Sequence, residues 1–406
     1  MKILIYSINH SPEFVGIGKY NGEMVEWLIE NGHEVRVVTT PPYYPNWQIW
    51  PNYSKLFYKV ESKYYGKCKI FRCPIYVPKN PGSAARVLYL LSFFISSLPV
   101  MFAHILWRPN ILFLTEPPLI CSPIALLVGW LSKSKNILHV HDFEIDAAFN
   151  LGLLRGKFFK KILGAFEKLI MSCFTVVSTI SLKMQNILID KGIPAEKTFI
   201  MRNWVNLELI NPNKVMPFSK IELKRIYEIP NNHLIAFYSG NMGYKQGFEI
   251  LADVAKAAVN DKIFFIFSGD GPAKQEFESK CAGLPNVKFL SLQQEESFVQ
   301  LLWLADVHLL PQKSGVADLV LPSKLTGMLA SGRPIIASAE VDSEVASIVK
   351  LCGLVVPPGN ASKFYDALTF LASSKEKRLE FGKMARIYAE RELGRAAILR
   401  NFFNTL

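Results

Sequence analysis

The chain opens with a short apolar run, KILIYSI, in which polar and apolar positions do not alternate. Such a run is typical of a parallel strand that is buried on both faces. After a glycine-containing loop, apolar residues recur on one helical face: Met24, Val25, Leu28 and Ile29. Gly32 ends this segment, and a second apolar run, EVRVVTT, follows it. The pattern therefore predicts a strand, a glycine loop, a helix and a second strand.

The same succession returns in the second half, where AFYSGNMGYKQG precedes the helical FEILADVAKAAV and the apolar KIFFIFSG. Further strand candidates are NILFLT, NILHVHD, TVVST and TFIMRN in the first half and NVKFLSL, VHLLPQ, PIIAS and GLVVPP in the second. Most are followed by helical patterns, so we expect an α/β protein with two Rossmann-like domains facing each other across a cleft. Residues 207–232, rich in proline, asparagine and lysine, predict a linker between domains at 1–206 and 233–385.

Composition narrows the class of protein. The length of 406 residues suits two or three domains of about 150 residues each. The formal net charge of +12 favours an anionic partner, and the 50% hydrophobic content favours anionic lipid over nucleic acid. The six cysteines are scattered without zinc-type pairs, and the N-terminal apolar run is too short for a signal-peptide core. We therefore expect a cytoplasmic protein without a nucleic-acid partner.

Two stretches suggest contact with a membrane. Residues 87–106 are uncharged and long enough to cross a bilayer core of about 30 Å, although Pro99 and three serines weaken a spanning helix. The alternative is a helix of the first domain that exposes an apolar face. The stretch RGKFFKKILGAFEKLI has the pattern of a helix on an anionic surface, or of a solvated basic face on a helix packed against its own domain. We predict peripheral attachment to the inner face of the plasma membrane without a span.

Two glycine loops are candidate phosphate sites. The first has Gly16, Gly18 and Gly22, but EVRVVTTPP does not end in the acidic residue that a dinucleotide site needs for its ribose. Its glycines either admit a phosphate or sugar to the backbone amides or serve tight packing. The second, SGNMGYKQG, adds Lys245, a cation suited to the charge that grows on a departing diphosphate. Farther on, a polar loop leads into a helix and holds Lys313, Ser314, Gly315, Asp318, Ser323 and Lys324.

The stretch HVHDFEID, residues 139–146, concentrates imidazoles and carboxylates. On a strand, His139 and His141 point to one face and Asp142 to the other. A third metal ligand does not follow at a familiar spacing, so a metal site is not predicted. Glu144 and Asp146 are further candidates, and either could cap a helix that starts near Asp146.

The whole chain resembles the retaining glycosyltransferases of family 4, which have the two-domain GT-B fold. The stretches that carry the resemblance are GIGKYNGEMVEWL, GHEVRVVTTPPYYP, RCPIYVPKNP, HVHDFEIDA, STIS, NW, YSGNMGYKQGFE and ADLVLPSKLTGMLASGRP. Within the family it is most similar to the colanic acid biosynthesis type described as a fucosyltransferase. The resemblance implies a nucleotide-sugar donor on the C-terminal domain, an acceptor on the N-terminal domain, and neither a metal nor another cofactor. We also expect residues 386–406 to form a helix that returns to the first domain.

The chain departs from the family pattern at the donor site. The common pair of glutamates aligns with Leu319 and Gly327, and the arginine and lysine that grip the diphosphate align with Asn241 and Gln246. We expect Lys245 and Lys324 to replace the missing cations, and Asp318 or main-chain groups to replace the ribose contact.

These considerations give the expected site. Catalysis is assigned to His141, Asp142 and Lys245, and the acceptor-side loop to Gly16, Gly18, Glu144 and Asp146. Donor binding is assigned to Gly240, Asn241, Gly243, Gln246, Lys313, Gly315, Asp318, Ser323 and Lys324. The favoured donor is GDP-fucose and the expected acceptor a lipid-linked saccharide. The alternatives are a nucleotide-sugar 2-epimerase of the same fold and a non-catalytic scaffold of a polysaccharide-assembly complex.

Overall fold

The computed structural model describes residues 1–78, 83–150, 156–213, 217–243, 246–314 and 322–406. Contacts divide the chain into two compact units. Unit 1 comprises Met1–Arg202 and Leu399–Leu406, and unit 2 comprises Asn203–Ile398. The described residues of the expected linker, 207–232, therefore belong to unit 2.

Unit 1 contains an eight-stranded sheet. Its strands are β1 (Lys2–Tyr6), β2 (Glu34–Thr39), β3 (Lys59–Lys63), β4 (Cys68–Arg72), β5 (Ile111–Glu116), β6 (Lys135–Val140), β7 (Val176–Thr179) and β8 (Thr198–Ile200). Their order in the sheet is β3-β4-β2-β1-β5-β6-β7-β8, and every pair is parallel except β3 with β4. The central strands are buried on both faces, as their unbroken apolar runs predict.

Helices cover both faces of this sheet. They are α1 (Gly16–Glu30), α2 (Ser83–Trp107), α3 (Ser122–Ser132), α4 (Glu144–Asn150), α5 (Lys157–Ser172) and α6 (Leu182–Asp190). The four apolar residues predicted on one face of α1 are all buried, which confirms that helix. Parallel strands are joined by right-handed crossovers, and the connections through α2, α3 and α5 all advance in one direction along the sheet. These three helices therefore form one layer, and α1 lies on the opposite face.

Unit 2 contains a six-stranded parallel sheet. Its strands are β9 (Leu234–Ser239), β10 (Ile263–Ser268), β11 (Val287–Leu290), β12 (Val307–Pro311), β13 (Ile335–Ser338) and β14 (Gly353–Val356), in the order β11-β10-β9-β12-β13-β14. The helices are α7 (Lys220–Ile226), α8 (Ile250–Ala257), α9 (Lys274–Lys280), α10 (Glu295–Leu304), α11 (Lys324–Ala330), α12 (Glu344–Cys352), α13 (Ala361–Ser373) and α14 (Lys375–Glu392). A last helix, α15 (Arg395–Asn404), begins in unit 2, and its residues from Leu399 onward belong to unit 1. One apolar cluster lies on each face of the sheet, so unit 2 has the two-sided core of a Rossmann-like domain.

The prediction of two tandem Rossmann-like domains is confirmed, and all twelve predicted strands are present. The hairpin of β3 and β4 was not predicted. Its outer strand, KVESK, lies at the sheet edge and carries mostly exposed side chains, so it lacks the apolar run that revealed the other strands. The segment expected as one C-terminal helix is interrupted between α14 and α15, and its last eight residues belong to unit 1.

Candidate functional site

Most of the predicted donor residues that the structure describes lie where strands of unit 2 end at their carboxyl edge. Gly240 follows β9 with φ of +131°, in the left-handed region that favours glycine. Gly269 follows β10 and approaches so closely that a Cβ on it would lie 1.9 Å from the Gly240 carbonyl oxygen. A Cβ on Gly271 would similarly lie 2.6 Å from Asn241 Oδ1. The loops after β9 and β10 therefore approach each other closely, and a side chain at Gly269 or Gly271 would prevent this contact.

Lys324 brings a cation to this edge. Its Nζ donates a hydrogen bond of 3.3 Å to the Tyr238 hydroxyl and lies 4.4 Å from the centre of that ring. A Cβ on Gly240 would be 3.3 Å from the same Nζ, so the ammonium lies beside the glycine loop. Burial disfavours the charged form and lowers the pKa of Lys324 to about 7. An anion placed here would restore the charge of the ammonium.

The remaining donor candidates lie around the same loops. Gln246 donates its backbone N–H to the Gly243 carbonyl at 2.9 Å. A Cβ on Gly247 would lie 2.7 Å from the backbone nitrogen of Lys313, so the loop after β12 packs against Gly247. Ser323 is exposed just before α11 and does not cap it with its side chain. Lys245, Gly315 and Asp318 lie outside the described residues.

His139 and His141 are oriented as the two-residue period of a strand predicts. His139 and His141 lie on one side of β6, with ring centres 4.5 Å apart. His139 shares a 2.9 Å hydrogen bond with Ser178, whereas His141 Nε2 is buried without a hydrogen-bond partner among the described residues. Burial lowers the pKa of His141 to about 4, so its imidazole is neutral at physiological pH. Tyr20 of α1 stacks on the His141 ring with centres 6.3 Å apart.

The acidic candidates of unit 1 separate into different environments. Glu144 accepts a hydrogen bond of 2.6 Å from the Leu119 backbone, and burial raises its pKa to about 7. Asp142 is half-buried beside it and is one of the charges that raise that pKa. Asp146 instead forms ion pairs with Lys191 at 2.6 Å and Lys160 at 3.8 Å. Asp146 is therefore engaged in salt bridges. The Glu144 carboxyl, with its pKa of about 7, can carry a proton near neutral pH.

The first glycine loop packs tightly against a carboxylate. Gly16 has φ of +59°, and a Cβ on Gly18 would lie 2.7 Å from Glu13. Glu13 is buried and accepts backbone hydrogen bonds of 2.9 Å from both Tyr43 and Tyr44, which join the β1 and β2 loops. Close packing therefore accounts for the absence of a side chain at Gly18.

Three groups at these edges were not among the residues predicted from the sequence. Glu116 ends β5 fully buried, with both carboxylate oxygens unpartnered among the described residues, and burial raises its pKa well above the ordinary value. Tyr238 and Gly269 complete the surroundings of Lys324 and Gly240. The sequence signals were an acid at the end of an apolar strand before two prolines, and the glycines of SGDGP after KIFFIF.

Within the described ranges, histidine, cysteine and acidic side chains do not form a group of three or more that could hold a metal ion.

Two family profiles together match most of the chain. The Glycosyl transferase 4-like domain matches residues 15–204, and Glycosyl transferases group 1 matches residues 233–374. The WcaI protein of Escherichia coli (strain K12), named as a colanic acid biosynthesis glycosyl transferase, is 39% identical over 416 residues that cover 100% of both chains. The chain is a family 4 glycosyltransferase. It is therefore a nucleotide-sugar-dependent enzyme and not the epimerase or scaffold that the sequence left open.

Solved structures show that this family 4 glycosyltransferase has the GT-B fold. Sucrose-phosphate synthase from Thermosynechococcus elongatus superposes with a TM-score of 0.74 at 16% identity and covers 100% of this chain and 98% of its own. HepE of Anabaena, solved with UDP and glucose, gives a TM-score of 0.70 at 15% identity over 100% and 99% of the two chains. WaaG, a glycosyltransferase of lipopolysaccharide biosynthesis, gives 0.69 at 14% identity over 99% of each.

The structure describes one of the two positions at which this glycosyltransferase departs from the family pattern. Gly327 occupies the position expected for the second glutamate and is buried in α11. A Cβ there would lie 3.6 Å from Leu302 and 3.9 Å from Ile210 and Phe298, so its nearest neighbours among the described residues are apolar. The first position of the pair, Leu319, lies outside the described residues.

Proposed function

We propose that this glycosyltransferase moves a sugar from a nucleoside diphosphate onto a lipid-linked saccharide, with retention at the anomeric carbon, during assembly of a colanic-acid-like exopolysaccharide. The favoured donor is GDP-fucose, and the proposed reaction uses neither a metal nor another cofactor. The work would take place on the cytoplasmic side of the plasma membrane, where the enzyme is peripherally attached.

The position of Lys324 carries the proposal. Nucleotides bind at the carboxyl ends of strands in open α/β sheets, and a diphosphate needs both a cation and accessible backbone there. Lys324 supplies the cation, and the Gly240 and Gly269 loops supply backbone without side chains in front of it. Because the ammonium is half-buried, its interaction with the growing charge of the departing diphosphate is weakly screened by water.

The neutral imidazole of His141 supports a reaction that retains the configuration of the anomeric carbon. In the proposed step the acceptor hydroxyl oxygen bonds to the anomeric carbon, the bond from that carbon to the phosphate oxygen breaks, and the hydroxyl proton passes to the departing phosphate. A neutral imidazole with an unpartnered Nε2 can hold a sugar hydroxyl by a hydrogen bond without itself taking the proton. His141 and Asp142 are thus proposed to position sugar hydroxyls, and Gly16 and Glu144 to line the acceptor side.

The donor and pathway are inferred from relatives. WcaI, at 39% identity over both full chains, is named for colanic acid biosynthesis, and this supports an exopolysaccharide product. HepE was solved with UDP and glucose, so UDP-sugars are the main competing donor class. A thermal-shift screen against GDP-, UDP- and dTDP-sugars separates them, because only a bound ligand raises the unfolding temperature.

The reaction itself is tested by incubating the enzyme with GDP-fucose and a lipid-linked oligosaccharide from an exopolysaccharide producer. We expect a fucosylated lipid whose anomeric configuration, read by NMR, matches that of the donor. A product of inverted configuration would contradict retention. Selective stabilisation by another nucleotide sugar, with transfer from that donor, would replace the assignment of GDP-fucose.

A further inference from the structure

The helix layer of unit 1 exposes an unusual amount of apolar surface. On α2, one stripe is buried in the unit and the opposite stripe is exposed, ending at Leu106, which is 89% exposed. On α3, Trp130 is 75% exposed, and on α5, Phe158 is 78% exposed. Further exposed apolar side chains of the layer are Val87, Leu88, Ile95, Phe102, Leu127, Leu131, Phe159, Ile162, Phe166 and Leu169. We call these residues and the three named above the apolar face.

The exposed charges on α2, α3 and α5 have one sign. The sequences of α2, α3 and α5 contain a single acidic residue, Glu167, and it is buried. Exposed basic residues accompany the apolar face: Arg86, Lys160, Lys161 and Lys168. A surface that combines exposed apolar side chains with cations, and presents no exposed acid on these helices, is complementary to an anionic lipid bilayer.

A loop between β2 and β3 extends this face. Leu56 and Phe57 are 68% and 72% exposed, and with Tyr58 they stand between Lys55 and Lys59. The Tyr58 hydroxyl donates a 2.7 Å hydrogen bond to the Ser96 carbonyl of α2, which fixes the loop beside that helix. We call residues 55–59 the apolar tip. An exposed leucine and phenylalanine between two lysines are suited to insertion below lipid headgroups.

The packing of α2 determines how it meets a bilayer. Within the described residues, one helical segment is long and apolar enough to cross a membrane, and it is Ala85–Trp107 of α2. Its other side is built into unit 1, since Phe93, Ser97 and Met101 are fully buried and Ser97 hydrogen-bonds Tyr6 of the central strand. Spanning would remove this side from the core of the unit. The folded unit therefore presents α2 lengthwise to a surface.

We propose that the apolar face and the apolar tip together dock unit 1 flat on an anionic bilayer, with α2, α3 and α5 in the membrane plane and the tip inserted among the lipids. The inference rests on the proposed function, because a lipid-linked acceptor requires the enzyme to work at the bilayer. It adds the surface that makes the contact, including α3 and the tip. A second copy of the chain fits this face less well, because a symmetric pairing would set its lysines against one another.

The direct test is co-sedimentation of the full-length protein with vesicles of phosphatidylethanolamine and phosphatidylglycerol. Leu56→Glu combined with Phe57→Glu, and separately Phe158→Glu, should each weaken binding by about tenfold or more, since each removes buried apolar area. The matched control is Leu379→Glu, a leucine 62% exposed on α14 of unit 2, which should bind as wild type does. Equal binding by all three variants and wild type would overturn the proposal.

Cys173 provides a second readout, independent of mutation and activity. It is the exposed cysteine at the end of α5, and the other five are buried. Anionic vesicles should slow its reaction with an aqueous maleimide several-fold, and phosphatidylcholine vesicles should not. Unchanged labelling would contradict in-plane docking of α5, and retention of the protein in vesicles after alkaline carbonate washing would contradict a surface orientation of α2.

An assay of sugar transfer to a water-soluble acceptor distinguishes the docking proposal from the proposed function. Tip variants that keep this activity but lose vesicle binding support the docking surface. An enzyme that transfers sugar without binding vesicles overturns the docking proposal alone. Vesicle binding without nucleotide binding or transfer overturns the proposed function. A dimer in solution that Phe158→Glu dissociates, with vesicle binding unaffected, would assign the face to a second copy.

Discussion

The ammonium nitrogen of Lys324 lies 3.3 Å from the hydroxyl of Tyr238 and 4.4 Å from the centre of its ring. Among the described residues, no carboxylate forms an ion pair with this lysine. Burial removes hydration from this half-buried cation, so the pKa of Lys324 falls to about 7. A bound diphosphate would supply the missing charge, and the protonation of Lys324 would then be coupled to donor binding.

This coupling predicts a pH dependence of nucleotide affinity. In the free enzyme Lys324 is protonated below about pH 7 and neutral above it, whereas a bound diphosphate would raise its pKa. Affinity should therefore be strongest below pH 7 and fall by up to about tenfold per pH unit above it, until the bound-state pKa is reached. Calorimetric titration with a nucleoside diphosphate at pH 6 and pH 8.5 measures the difference. Lys324→Arg, which stays charged throughout, should remove this dependence, and a retained dependence would assign it to another group.

The buried carboxyl of Glu116 predicts a pH dependence of stability. Burial, with Glu144 and Glu167 nearby, raises its folded-state pKa well above that of an unfolded glutamate. Its protonation therefore favours folding below the unfolded pKa near 4.5, and this contribution is lost as pH rises through the folded-state value. Glu116→Gln should raise the unfolding temperature at pH 8 by about 2 °C or more and change it less at pH 5. Glu208→Gln, an exposed acid, is the control, and an equal shift at both pH values would contradict the explanation.

The contact between the Gly240 and Gly269 loops predicts an intolerant glycine. Gly269→Ala would place a Cβ 1.9 Å from a backbone oxygen at φ of +152°, so the loops must separate. We expect a loss of more than about 2 kcal/mol of stability and weaker nucleotide binding. The control is Gly164→Ala in α5, where nothing lies within 4 Å and helix propensity should add up to about 1 kcal/mol. Similar unfolding temperatures for the two variants would contradict the close approach.

The neutral imidazole of His141 predicts which kinetic constant changes on mutation. If Nε2 holds a sugar hydroxyl near the reacting carbon, His141→Ala should lower kcat by about tenfold or more with little change in nucleoside diphosphate affinity. Because its pKa is about 4, this residue should not contribute an inflection to the rate between pH 5.5 and 8. His141→Gln should recover part of the rate, since an amide also forms hydrogen bonds. Wild-type turnover in the alanine variant would remove His141 from the reaction.

The sequence predicted those features that depend on local patterns. Buried parallel strands leave apolar runs and α1 leaves a helical stripe, so both domains were predicted. The edge strand β3 has mixed polarity and needs its partner β4 to be recognised. Side-chain partners depend on distant segments. The ion pair of Asp146 with Lys191 and the hydrogen bonds from Tyr43 and Tyr44 to Glu13 join residues about 30 to 45 positions apart, so spacing alone did not reveal them.

The central claim is that unit 2 holds the donor diphosphate through Lys324. It is tested most directly by calorimetric titration of Lys324→Met at pH 6.5, with whichever of GDP, UDP and dTDP most stabilises the wild type. Lys377→Met, on the surface of α14, is the control. The account predicts binding by the wild type and the control, and affinity at least about tenfold weaker for Lys324→Met. Equal affinity for all three proteins would contradict it.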